Sequence, residues 1–242
     1  MNQDRLKATY ESLRSLIIWL GVTQLVWISY WLFRTDDARS AYTIAVVAWI
    51  AVMLGWLTIV IIAGRRDFFF KHTRSLSNLV GVIIVVAFGA VVFGVFPEAR
   101  QGLIDSASAT TDREFVSIHI LRLLAIGTII KYLQRQLPLH FVILGSLPDF
   151  LFAISALVIS LTVEVDSLGQ EFLLAWHWTG FAVFLGAGIS MFFSVPSLLR
   201  IYSGEPDTSI IFRFPMLIAP NFTVPLFMLA HSFAIVKLIT PN

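Results

Sequence analysis

Six ionisable residues lie inside stretches of this chain that otherwise belong in lipid: His119, Arg122, His140, Asp149, His177 and His231. A charged side chain in the middle of a membrane helix costs about 2.5–3.5 kcal/mol on insertion scales, so such residues pair, face a cavity or serve a function. Arg122 and Asp149 have opposite charge and fall in adjacent apolar runs, which predicts an intramembrane ion pair, structural or functional. The imidazoles can hydrogen-bond between helices, ligate a metal or haem, or move protons near neutral pH. No HxxxH or HExxH pair is present, so a metal reading depends on the fold bringing distant histidines together. The absence of cysteine removes thiolate catalysis, disulfides and thiolate-bound zinc.

The elements that position these residues follow from composition. The chain has 242 residues, 57% of them hydrophobic and 13% charged, with a mean hydropathy of +0.83. A soluble domain carries about 25% charged residues, so lipid is the expected solvent. Apolar runs at 15–34, 41–63, 77–96, 115–136, 139–162, 172–199 and 216–239 each approach the roughly 20 residues needed to cross a bilayer. They are too long and too uniformly apolar for barrel strands. The expected fold is therefore an all-α membrane protein, a single seven-transmembrane-helix bundle spanning 1–242. The first run is read as a retained anchor, because it exceeds a signal-peptide core and lacks a small-x-small cleavage site. The polar stretch 97–114 reads as an exposed loop.

Orientation follows from the positive charges. A cytoplasmic N-terminus puts eleven Lys and Arg inside, including Arg65, Arg66, Lys71, Arg74, Lys131, Arg135, Arg200 and Arg213. Five fall outside (Arg34, Arg39, Arg100, Arg113 and Lys237), with acidic company such as Asp36, Asp37 and Glu114. That bias predicts N-terminus in and C-terminus out, in a membrane whose short loops fit the inner membrane of a bacterium. The sequence pI of about 9.1 reflects this topology and not nucleic-acid binding, since no aromatic platform is interleaved with the basic residues.

The two halves differ in chemistry. The first three spans have no proline, histidine or formal charge in their interiors and read as scaffold, with Gly81, Gly89 and Gly94 allowing close helix approach in the third. Pro148, Pro196, Pro220 and Pro225 and all the intramembrane histidines come later. At 1.5 Å per residue, His119 lies about 6 Å, Arg122 about 10 Å, His177 about 8 Å and His231 about 12 Å below the outer face. Asp149 lies about 15 Å from the inner face, within reach of Arg122. The candidate ligand-binding set is Arg122, Asp149, His119, His177, Trp176, Asn221 and His231; His119, His177 and His231 are the candidate metal ligands. Each has a plainer reading: histidines as interhelical hydrogen bonds, Trp176 and Trp178 as interfacial residues, Asn221 as a helix bridge beside a proline kink, and the Gly180, Gly186 and Gly188 series as close packing.

Three short motifs resemble a family of uncharacterised bacterial multi-pass membrane proteins. They are GSLPDF at 145–150, AWHWTG at 175–180, and PNFTVP at 220–225 followed by His231. The likeness covers 145–239 and implies Asp149, Trp176, Pro220, Pro225 and His231 as site candidates, with no established activity. Members of that family carry an acidic residue three positions after the span-six glycine, where this chain has Val183.

The expected function is a non-enzymatic membrane protein that binds a small apolar or amphipathic ligand, or a cofactor such as a metal or haem, in a polar pocket opening to the outer face. Three alternatives stand beside it: a proton-coupled transporter using Asp149, a metal-dependent membrane enzyme, or an accessory subunit of a membrane complex or homo-oligomer. The absence of matching broken helices in the two halves weighs against an inverted-repeat transporter.

Overall fold

The computed structural model describes residues 3–34, 40–72, 80–162, 164–197 and 199–240, and all of the regular structure among them is helical. The elements are α1 (Gln3–Leu32), α2 (Ser40–Arg65), the short α3 (Phe68–Lys71), α4 (Val80–Val95), α5 (Pro97–Ala109), α6 (Asp112–Leu133), α7 (Leu139–Thr162), α8 (Gln170–Phe192) and α9 (Ala219–Ile239). Five helices are long and apolar enough to cross a membrane: Ala41–Arg65 within α2, then α6, α7, α8 and α9. Two shorter apolar helices, Leu16–Leu32 at the end of α1 and the 16-residue α4, occupy the first and third expected spans. Large apolar side chains such as Trp19, Ile44 and Leu161 point outward with exposures of 65%, 68% and 72%, as helices in contact with a bilayer require. Arg39, Arg74, Asp36 and Asp37, on which part of the charge bias rests, lie outside the described residues, as do the side chains of residues 1–15.

Three expectations need correction. The stretch 97–114 is not an exposed loop, because most of it is α5, laid against α1, α2, α4 and α9. Pro97 sits in the first turn, where a missing N–H costs nothing, and Glu98 complements the positive helix end. Ala99, Gly102 and Ser106 repeat at helical spacing and form a buried face small enough for close contact. A Cβ on Gly102 would collide with the Tyr42 ring, whose hydroxyl bonds the Leu32 carbonyl at 2.8 Å and Ser106 Oγ at 2.7 Å. Span six stops at Phe192 and not near 199, since Ile201 and Tyr202 fold back to bond the Phe193 carbonyl, and the described residues between 193 and 212 include the short 3₁₀ segment Ser209–Phe212. Span four begins at Asp112, three residues earlier than expected, because Thr111 and Glu114 form a reciprocal capping box.

Three local departures from α geometry shape the bundle. Ile118–Ala125 in the middle of α6 is 3₁₀, which brings side chains three residues apart into line. π turns precede Pro148 of α7 and Pro225 of α9, at Val142–Ser146 and Ala219–Thr223, the second containing Pro220. Pro148 frees the carbonyl of Leu144, and Gly186 of α8 leaves room for it where any side chain would clash. Pro225 frees the carbonyl of Asn221, which accepts from Trp56 Nε1 at 2.8 Å. Of the glycines expected to permit close approach, Gly94 and Gly188 face open space, and Gly89 makes ordinary contact with Leu229.

The larger apolar core runs among α1, α2, α4 and α9 and includes Trp31, Trp49, Met53 and Phe222. A smaller one joins α6, α7 and α8 through Val116, Phe152, Ala156, Leu173 and Trp176. Polar ties fasten the bundle end that carries Leu32 and Leu238: Arg34 to Glu114 at 2.5 Å, Lys237 to Asp112 at 2.8 Å, and Gln170 to the Leu238 carbonyl.

Candidate functional site

His119 and Arg122 are three residues apart on the 3₁₀ turn of α6, so both project from one face toward α7, α8 and α9. Arg122 is 2% exposed. Its Nε donates to Asp149 Oδ1 of α7 at 2.5 Å, and Nη1 and Nη2 both reach the Gly180 carbonyl of α8 at 3.4 Å. Nη1 also lies 3.1 Å from His231 Nε2 of α9. The guanidinium carbon sits 4.4 Å from the Phe152 ring centre and 4.0 Å from that of Phe184, so the charge is held between two π faces.

The histidines complete the cluster. His177 Nδ1 and His231 Nδ1 are 3.0 Å apart. A guanidinium can only donate, so His231 Nε2 must accept from Arg122, leaving its Nδ1–H to donate to His177. His177 then carries its own proton on Nε2. His119 stacks on His231 with centroids 3.8 Å apart and planes 13° from parallel. It is fully buried and neither of its ring nitrogens has a hydrogen-bond partner, a deficit of about 1–3 kcal/mol for each unmet group. Phe152, Trp176 and Phe227 surround it at 5.7–5.9 Å. Trp176 is itself tied to α7 by Nε1–H donating to Ser155 Oγ at 3.1 Å. Gly180 makes the crossing of α8 and α9 workable, because a Cβ there would run into His231 and Phe152.

The structure thus gathers Arg122, Asp149, His119, His177, His231 and Trp176 from four helices into one buried knot. Asn221 is not brought there. Its Nδ2 donates to Leu217 O at 2.9 Å, in the π turn beside Trp56. His140 stands apart too, stacked on Tyr202 at 4.2 Å. A cleft of about 500 Å³ at the far end of the bundle is lined by residues including Phe70, Gln136, Glu205, Asp207 and Arg213, and by none of the expected site residues. Sequence reasoning missed Phe152, Phe184 and the Gly180 carbonyl. The signal was present as spacing, since Phe152 follows Asp149 by three and Phe184 follows Gly180 by four, one helical face in each case.

One nitrogen from each of His119, His177 and His231 lies within 4.8 Å of the others. Two imidazoles on one zinc-sized ion stand at most about 4.2 Å apart, twice the metal–nitrogen bond, so the trio lies near chelating distance. His231 must give up one of its two hydrogen bonds to offer a lone pair. A haem would have to displace the aromatic shell.

Helices of this length and apolarity around a buried His/Arg cluster are consistent with an integral membrane protein that contacts the bilayer. Residues 76–239 match the family model described as Domain of unknown function (DUF8737), and the chain belongs to that family. The matched stretch includes all three motifs noted in the sequence. No curated protein and no solved structure matches the chain.

Proposed function

We propose that this is a seven-span protein of the bacterial inner membrane, N-terminus in and C-terminus out, whose knot on α6–α9 binds a small apolar or amphipathic ligand or a cofactor. The observation that carries the reading is His119: fully buried, without a partner at either nitrogen, and walled by aromatic rings beside a compensated ion pair. Elsewhere among the described residues unmet buried side-chain atoms occur singly, as at Trp31, Trp49 and Asn221, whereas His119 has two. Native mass spectrometry, metal analysis and an absorption spectrum on gently extracted protein test this. The expected result is a stoichiometric bound species that His119→Ala or His231→Ala releases while the fold persists. Retention of that species by both variants, or a bare protein, overturns the reading. Metal as the only species would assign the trio as chelators.

A second reading, proton-coupled transport, is favoured by the asymmetry of the ion pair. The Asp149 side chain is 22% exposed, whereas that of Arg122 is fully covered, so the acid is the end a proton can reach. It predicts pH-driven uptake into vesicles that Asp149→Asn abolishes, and undiminished uptake by that variant removes it. Orientation is open to a direct check because the chain is free of cysteine. Single Glu98→Cys and Arg213→Cys variants are expected to label with an impermeant maleimide from the outside and the inside respectively.

A further inference from the structure

Resting on the ligand-binding reading above, the geometry points to a ligand class: a neutral molecule with a hydroxyl head, alcohol or phenol, on an apolar body, meeting His119. Charge comes first. Arg122 and Asp149 neutralise each other at 2.5 Å, and neither is left over for a charged guest. A carboxylate, phosphate, ammonium or metal ion would bring an uncompensated charge into an apolar, aromatic setting, which is strongly unfavourable.

Hydrogen bonding narrows the class further. Three of the four remaining N–H groups of Arg122 reach Gly180 O and His231 Nε2, and the Nδ1–H of His231 is used on His177. His119 has neither nitrogen matched. A neutral imidazole presents one N–H and one lone pair, and a hydroxyl, which both donates and accepts, can answer either. An anion has no hydrogen for the lone pair, a metal ion has no lone pair for the N–H, and an ether answers only the N–H. Phe152, Trp176 and Phe227, the rings around His119, supply the apolar walls. Water shares the hydroxyl chemistry but not the apolar body, so the two sources can be separated.

The test uses the full chain in lipid nanodiscs with four probes: 1-dodecanol, its methyl ether, dodecanoate and zinc chloride. Thermal shift and tryptophan fluorescence report binding. Dodecanol is expected to bind about tenfold tighter than the ether or the carboxylate, the worth of one well-placed hydrogen bond. His119→Phe keeps the ring packing and is expected to lose that tenfold, whereas His119→Gln, whose amide both donates and accepts, retains most of it. Equal binding of alcohol and ether, or unchanged alcohol binding by His119→Phe, overturns the hydroxyl class and leaves ligand binding standing. Binding of zinc alone overturns it in favour of chelation. If no probe binds, no organic species co-purifies and His119→Phe raises the melting temperature, water alone serves His119, and the ligand reading falls with this inference.

Discussion

Two kinds of buried polar contact can be compared among the described residues: those around α1, α2 and α5, and those of the knot on α6–α9. Among the described residues of α1, α2, α5 and the π turn of α9, the buried contacts are neutral and end on a backbone carbonyl or a hydroxyl. Tyr42 reaches Leu32 and Ser106, Gln24 reaches Thr223 O at 3.3 Å, and Trp56 reaches Asn221 O. Each is a local repair of a carbonyl freed at a helix end or a proline, or a clamp between two helices. In the knot on α6–α9 the central contacts are charged or between imidazoles and form a continuous chain, Asp149–Arg122–His231–His177, with a neutral Trp176–Ser155 bond at its edge. Packing alone does not require a formal charge in an apolar bundle, because an aliphatic pair of similar volume serves as well or better. The difference separates a region whose buried polar contacts are neutral ties between helices from one that holds a charge pair and a histidine cluster.

Breaking the ion pair should show the largest contrast. Asp149→Ala strands Arg122 in a fully covered position and is expected to cost about 3 kcal/mol, the low end for a buried pair because the Asp149 side chain is 22% exposed. The double variant Arg122→Met, Asp149→Leu should recover most of that loss in thermal unfolding while losing any bound species. If the double variant is as unstable as the single one, the pair is architecture after all. Next comes Gly180→Ala, whose added methyl meets His231 and Phe152, at about 2 kcal/mol of overpacking. Gly188→Ala, eight residues along the same helix and facing open space, should leave stability unchanged or slightly raised.

Much of the knot was legible because membrane helices are regular. A fixed rise per residue places His119, His177, His231 and Arg122 at one level from their span boundaries alone, and opposite charges in adjacent spans name the ion pair. The same arithmetic should have excluded Asn221, which lies ten residues or about 15 Å along α9 from His231. Proline chemistry drew it in, and the carbonyl freed by Pro225 turned out to belong to Trp56. The 3₁₀ turn that aligns His119 with Arg122 left no mark in composition, since Ile118–Ala125 is ordinary helix-forming sequence. Helix α5 was missed for the opposite reason. Its Glu98, Arg100, Gln101 and Asp105 outweigh a buried face made of alanine, glycine and serine, which contributes little hydrophobic signal. Small-residue spacing, more than hydropathy, is what identifies a helix that packs by close approach.

The neutral contacts of the first half offer the finer test, because their expected effects are small and purely structural. Tyr42→Phe removes one hydroxyl that serves both the Leu32 carbonyl and Ser106 Oγ. Ser106 Oγ lies 3.2 Å from Leu32 O and can donate to it once the tyrosine hydroxyl is gone, so the carbonyl keeps a partner and the loss should stay near 1 kcal/mol. Lys237→Met, at the polar rim, removes a partly exposed tie to Asp112 and the Thr110 carbonyl and should cost about 0.5 kcal/mol, less at high salt. Neither substitution should alter the occupancy of the knot, which is what separates them from Asp149→Ala and His119→Ala. Should Tyr42→Phe release the bound species as His119→Ala does, the two halves would be coupled through α5, which touches both α2 and α9. The distinction between scaffold and site would then have to be drawn within single helices, as α9 already carries both the π turn that meets Trp56 and His231 of the knot.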